Sequence, residues 1–230
     1  MKRMIPALMA LAALALPLSG SDRKELERLQ NCGTVLKEIM DIPEDIPQDL
    51  IDKAECVIVY PSVLKAAFIV GGSYGRGAMT CRTGKQYSGH WSAPSMMALE
   101  GGSFGFQIGG QATDLILVAV NDKGFQDLLK NRVKLGGDAA ASAGPVGRNA
   151  QAGTDWKLNA ELLTYSRSKG LFAGIDLTGD DVSQNVDDTT TFYDGANHTF
   201  DSILKGGVVV PPSAKPFVRT VAKYFHSSQD

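Results

Sequence analysis

Residues 71–75 read GGSYG and residues 101–105 read GGSFG. Both match the G-x-S-x-G pattern that sets a nucleophilic serine on a sharp strand-to-helix turn. Both equally match the glycine-rich bend of a curved β-strand. The residues after each serine separate the two readings. In YGRGAMTCR (74–82) the period is two, with Tyr74, Arg76, Ala78, Thr80 and Arg82 on one face. In FGFQIGG (104–110), Phe104, Phe106 and Ile108 share a face in the same way. Neither run starts a helix, so the context that a nucleophile elbow needs fails twice. A Ser–Asp–His order can be written with Ser103, Asp187 and His198, but order without geometry carries little. His198, in GANHTF, reads as an exposed turn histidine ahead of a helix. The expectation is therefore no enzyme and no catalytic residue. The serines hydrogen-bond in turns, and the repeated Gly-Gly-Ser marks a repeated corner of a bent sheet.

Working outward, DLILVAVN (114–121) is a continuous apolar strand, buried on both sides. NDKGFQDLLKNRVKLGG (121–137) reads as a turn and a short helix stopped at Gly136–Gly137. DAAASAGPVGR (138–148) is a small-residue strand, DWKLNAELLTY (155–165) alternates, and GLFAGIDLTG (170–179) is a further strand. Upstream, CVIVYP (56–61) is a buried strand closed by Pro61, preceded by a short helix with Pro47 in its first turn. Residues 22–40 have helical spacing, with Leu26, Leu29, Cys32, Val35, Leu36, Ile39 and Met40 on one half. The polar half is charge-neutral, which favours a helix packed on its own domain over one inserted in lipid. PPSAKPFVRTVAKYF (211–225) is a proline-started helix. Glycine supplies 25 of 230 residues and aromatics only 7%, a balance suited to tight turns and bent strands. These elements predict an α+β fold: a strongly curved, mainly antiparallel, barrel-like β-sheet with helices at the N- and C-terminal ends.

MKRMIPALMALAALALPLSG (1–20) opens with Lys2 and Arg3. An apolar run, Met4 to Leu18, comes next and is too short to span a bilayer. Pro17 and small residues complete the pattern of a secretory signal peptide cleaved near Gly20 or Ser21. An uncleaved anchor is the competing reading. The expected location is periplasmic or secreted. The formal charge is −2, and loss of Lys2 and Arg3 makes the remainder more acidic, which argues against nucleic acid as a partner. Of the cysteines, Cys32, Cys56 and Cys81, at least one stays unpaired. Cys56 reads as a small buried hydrophobe, and a Cys32–Cys56 bridge is left open. No zinc or other metal spacing is present, and no cofactor is expected.

Charge is unevenly placed. No acidic residue occurs between Glu55 and Glu100, a stretch that holds Lys65, Arg76, Arg82 and Lys85. From Leu171 to Leu204 there are Asp176, Asp180, Asp181, Asp187, Asp188, Asp194 and Asp201 but no Lys or Arg. The first block suits an electropositive face for phosphate-bearing headgroups; alternatively the two blocks neighbour and cancel. The acidic run DLTGDDVSQNVDD (176–188) lacks EF-hand spacing and reads as a solvated loop sooner than a calcium site.

WSAPSMMALEGGSFGFQIGGQATDLILVAVND, LGGDAAASAGPVGR and YSRSKGLFAGIDLTGDDV together resemble the SYLF domain family of lipid-binding proteins. IPQDLIDKAECVIVYP resembles the start of that domain and TTTFYDG its end. The resemblance implies a SYLF-like domain over 46–195, preceded by a signal peptide (1–21) and an N-terminal amphipathic helix (22–45), and succeeded by a C-terminal helical extension (196–230). Eukaryotic members bind phosphoinositide-containing membranes, and some bind actin. Carried to matching positions here, the resemblance implies lipid contact through Lys65, Arg76, Arg82 and Lys85, with Lys134 and Arg148 flanking the small-residue strand. The implied partner is an anionic phospholipid or membrane surface. Export argues against actin as a partner and leaves the headgroup open. The alternative is a structural or protein-interaction component of the cell envelope with no lipid ligand.

Overall fold

The computed structural model describes residues 20–42, 46–67, 70–104, 109–130, 132–144, 161–168, 171–172 and 177–226. The leader, Arg148, Trp156 and the alternation expected at 105–108 lie outside the described residues. Helix α1 spans Gly20–Met40 and α2 spans Gln48–Lys53, entered through Pro47. Strands β1 (Cys56–Ala67) and β2 (Val70–Cys81) come next, then β3 (Ser95–Phe104) and β4 (Gly109–Ala119). After them are α3 (Asp122–Leu128), β5 (Arg132–Lys134), β6 (Ala141–Ala143), β7 (Leu162–Ser168), β8 (Leu171–Phe172) and β9 (Asp181–Gln184). Helices α4 (Val186–Phe192), α5 (Phe200–Leu204) and α6 (Lys215–Tyr224) complete the described chain.

The nine strands form one sheet, ordered β5-β9-β3-β2-β1-β4-β7-β6 with β8 on β7. Every pairing is antiparallel except β6 with β7. The sheet curls into a half-barrel with helices toward both ends of the chain, the expected α+β class. β1 lies at its centre between β2 and β4. Its Val57, Ile58, Val59 and Tyr60 are wholly buried, as an unbroken apolar run requires when neither strand face meets water. Helix α1 lies against β1 and β2 and against α6. It buries Leu29, Cys32, Val35, Leu36 and Ile39, a stripe at helical spacing that answers the wheel. Asn121, Asn185 and Thr199 cap α3, α4 and α5, each side chain accepting from a backbone amide in the first turn.

Several expectations are corrected. Pro61 does not close β1. The strand continues through a register shift between Tyr60 and Val63, where Ser62 has φ 55° and its amide donates to Asp114 Oδ1 at 3.1 Å. A bulge needs no ladder donor at its extra residue, so proline is tolerated there. The segment before Gly136–Gly137 is strand β5, not helix, because Val133 is buried and pairs with Val182 of β9. Within the acidic run, residues 177–180 form a turn as expected, but Asp181–Gln184 is β9 and Val186 onward is α4 rather than loop. Cys56 is not a free apolar residue, nor is it bridged to Cys32: it is disulfide-bonded to Cys81, its partner in the β1–β2 register. Cys32 is a buried free thiol whose Sγ donates to Val59 O at 3.3 Å.

The two Gly-Gly-Ser segments are not separate corners. They face each other across one ladder, Gly71 opposite Ser103, Gly72 opposite Gly102 and Ser73 opposite Gly101. Ser73 therefore sits inside β2, which runs on to Cys81, and Ser103 lies within β3. Neither is at a strand-to-helix turn. Close approach requires glycine at Gly101 and Gly77, among other positions. A Cβ on Gly101 would stand 1.8 Å from Asp180 Oδ1, and one on Gly77 would stand 2.1 Å from Val59 O.

Candidate functional site

A groove of about 340 Å³ opens where the N-terminal half of α1 crosses β1 and β2. Lys24, Glu27, Arg28 and Asn31 line it from the helix, and Pro61, Ser62, Leu64, Tyr74 and Arg76 from the strands. The bulge at Ser62 builds this mouth. It moves the pairing so that Leu64 faces Tyr74, and a one-residue shift turns a strand's side chains to the opposite sheet face. Leu64 and Tyr74 are 53% and 47% exposed, two of four large apolar side chains so placed among the described residues.

Arg76 lies over the Tyr74 ring at 5.1 Å and donates from Nε to Tyr74 Oη at 2.8 Å. It also meets Glu100 at 3.6 Å. Arg28 links Glu25 at 2.9 Å and Asp188 of α4 at 2.7 Å. Burial pushes the Glu25 carboxyl up from its ordinary value, an effect that Arg28 opposes. Lys24 stays exposed beside them. The groove is thus a small apolar step rimmed by Lys24, Arg28 and Arg76, with Glu27 in the same lining and Glu100 exposed beside Arg76.

The five described residues of the expected basic set, Lys65, Arg76, Arg82, Lys85 and Lys134, are not brought together. Arg76 alone lines the groove. Lys65 opposes Ser73 on the other sheet face and pairs with the buried Asp180 at 3.5 Å. That contact joins the acid-free block to the base-free one. Arg82 is 5% exposed; its Nε donates to Ala54 O at 3.1 Å, its Nη2 donates to Phe225 O, and its guanidinium lies 5.0 Å from the Trp91 ring centroid. It ties the end of α6 to the sheet and lies away from the groove, in the lining of a second cleft. Lys85 is exposed on a second cleft, of about 840 Å³, at the Cys56–Cys81 end of the ladder. Lys134 is exposed on β5, opposite Asp181, and Arg148 lies outside the described residues.

Sequence reasoning misses Leu64, Lys24 and Arg28 as site residues. Lys24 falls on the polar half of the α1 wheel, where a signal exists; Arg28 lies along the buried stripe, between the directions of Val35 and Ile39, and gives none. Leu64 gives none, because its face depends on the bulge. Asp187 is exposed on α4, and His198 is exposed with its ring edge-on to Tyr193 at 5.2 Å. Among the described residues, no three His, Cys, Asp or Glu gather as a metal site, and no helix is long and apolar enough to cross a membrane.

A family model described as "Ysc84: Las17-binding protein actin regulator" matches residues 100–224. The chain belongs to the Ysc84/SYLF family. Its similarity to Protein YSC84 of Saccharomyces cerevisiae is 31% identity over 202 residues, covering 86% of this chain and 42% of that protein. LAS seventeen-binding protein 3 of the same yeast is 32% identical over 208 residues, covering 87% of this chain and 43% of that protein. SH3 domain-containing YSC84-like protein 1 of Mus musculus is 34% identical over 171 residues, covering 74% and 49%. The chain spans somewhat under half the length of these Ysc84/SYLF relatives, two of which carry LAS seventeen binding or an SH3 domain in their names.

Proposed function

We propose that this Ysc84/SYLF protein is a non-enzymatic module that docks on anionic phospholipid surfaces through the groove between α1 and the β1–β2 ladder. One observation carries the reading: Leu64 and Tyr74 stand exposed and directly opposed, with Arg76 stacked on the tyrosine and Lys24 beside them. A paired apolar step flanked by cations suits the boundary between headgroup and acyl chain. There the apolar side chains leave water, and each nearby base contributes about 1 kcal/mol at an anionic surface. Arg76, Arg28 and Lys24 take the place of the wider basic face, with Arg82 in a structural role. The setting is proposed as periplasmic or secreted; the leader pattern at 1–21 and the Cys56–Cys81 disulfide support it.

The test is co-sedimentation of the mature protein with phosphatidylglycerol-containing vesicles at low and at physiological salt. Binding should weaken with salt, and K24E/R76E and L64S/Y74S should each weaken it at least tenfold while melting as the parent does. No sedimentation at low salt, or unaltered binding by both double variants, ends the reading. A second reading, a protein-docking surface, is favoured by the family description, which names Las17 binding and actin regulation. Co-sedimentation with actin filaments in the absence of lipid is its measurement.

A further inference from the structure

The larger cleft, far from the groove, has a polarity that the proposed lipid surface does not use. Glu55, at the entry to β1, and Asp122, at the start of α3, supply carboxylates to it; Tyr87 and Phe125 supply an aromatic wall, their rings edge-to-face at 4.8 Å. The Tyr87 hydroxyl donates to Asp122 Oδ1. Glu55 Oε2 is shut off from solvent and has no hydrogen-bond partner. The cations nearby are engaged elsewhere or stand at the edge. Arg82 is directed to two backbone carbonyls, Lys205 pairs with Asp201 at 2.6 Å, and Lys85 is exposed.

A half-buried carboxylate held beside a second one is costly unless a cation arrives. Beside a second carboxylate and aromatic rings, the donor that fits is an ammonium group, which gains from charge and from the ring faces together. Lys85 and Lys205 at the rim repel a second positive charge and accept an acidic group. We propose that this cleft binds a small zwitterion, its primary ammonium against Glu55 and Asp122 and its phosphate or carboxylate toward Lys85 and Lys205. The volume, about 840 Å³, is in the range of small-molecule sites. Phosphoethanolamine has this chemistry, either as a soluble molecule or as the headgroup of phosphatidylethanolamine.

The experiment tracks backbone amide shifts of the full mature chain during titration with phosphoethanolamine, with ethanolamine and inorganic phosphate as half-ligands. Shifts are expected at Thr83, Lys85 and Gln126, with phosphoethanolamine binding more tightly than either half. Glu55→Gln should weaken it at least tenfold, and K85A/K205A should erase its advantage over ethanolamine. A thermal melt of Glu55→Gln checks that the fold is intact, and Arg76→Glu should leave this binding unchanged, which separates the cleft from the groove. Repeating the comparison with vesicles containing phosphatidylethanolamine assigns the source: Glu55-dependent vesicle binding marks the headgroup, and Glu55-dependent binding confined to the soluble compound marks the free molecule. Absence of shifts in both formats, phosphate binding as tightly as phosphoethanolamine, or a Glu55→Gln protein that binds like the parent overturns the proposal.

Discussion

Gly33 and Gly77 look alike in the sequence and behave oppositely in the structure. Gly33 is mid-helix in α1, and a Cβ there would touch Thr220 Oγ1 at 3.9 Å, ordinary contact. Gly33→Ala should therefore stabilise the protein by ~0.5–1 kcal/mol in urea melts, through helix propensity and a less flexible unfolded chain. At Gly77 the added carbon meets the Val59 carbonyl oxygen at 2.1 Å, a backbone atom fixed in the ladder. Gly77→Ala should cost at least ~3 kcal/mol or prevent folding, measured the same way. Glu55 is a third single-residue case. Burial, and then Asp122, push its carboxyl up to about 7 from an ordinary 4.5. The folded state holds that proton more tightly than the unfolded one, so this group's stabilising contribution is present below about pH 4.5 and lost as pH rises through about 7. With its solvent screening discounted, Glu55→Gln should exceed the parent by ~1 kcal/mol at pH 8 and match it at pH 4, read from paired urea melts.

At the scale of elements, periodicity is a sound guide wherever a strand or helix buries one face regularly. The α1 stripe, the DLILVA run within β4 and the proline-entered α6 are legible for that reason. It misleads where a bulge intervenes. Nothing in CVIVYPSVLK announces that Pro61 and Ser62 interrupt the pairing without ending the strand, yet that interruption decides which way Leu64 points. The YGRGAMTCR face shows a second limit. Tyr74, Arg76, Ala78, Thr80 and Arg82 do alternate, but exposure falls along the strand from 47% at Tyr74 to 5% at Arg82, because α6 and Trp91 close over one end. Two arginines on one strand face thus have different work. Arg82 holds two carbonyls, one of them Phe225 O at the end of α6. Arg82→Ala should leave those carbonyls unsatisfied and cost ~3 kcal/mol. Protection of α6 amides from hydrogen exchange should fall first, with vesicle binding of the still-folded fraction unchanged.

For the whole molecule, the disulfide and the charge blocks tell the same story. Cys56 and Cys81 lie 25 positions apart and directly across from each other at the end of the β1–β2 ladder. Reduction should lower stability by ~3 kcal/mol, seen as a shifted urea midpoint with phosphine reductant. Cys32 should resist iodoacetamide in the folded, reduced protein, because it is buried and its thiol is pushed up to about 12 by desolvation. The opposed blocks of charge neutralise in part through Lys65–Asp180, while Asp181 and Asp188 find Arg132 and Arg28, outside the basic block. The amino-acid order by itself determined the kind of the long, regularly spaced elements, the α+β class, the mainly antiparallel curved sheet and the helical ends, since side-chain spacing along a backbone is a local property. Only the tertiary structure decided which cysteines join, which arginine is buried, that the two glycine–serine segments face each other, and where an apolar pair is left in water. Those outcomes depend on register between strands distant in the chain, and a single bulge in the central strand resets that register for everything paired to it.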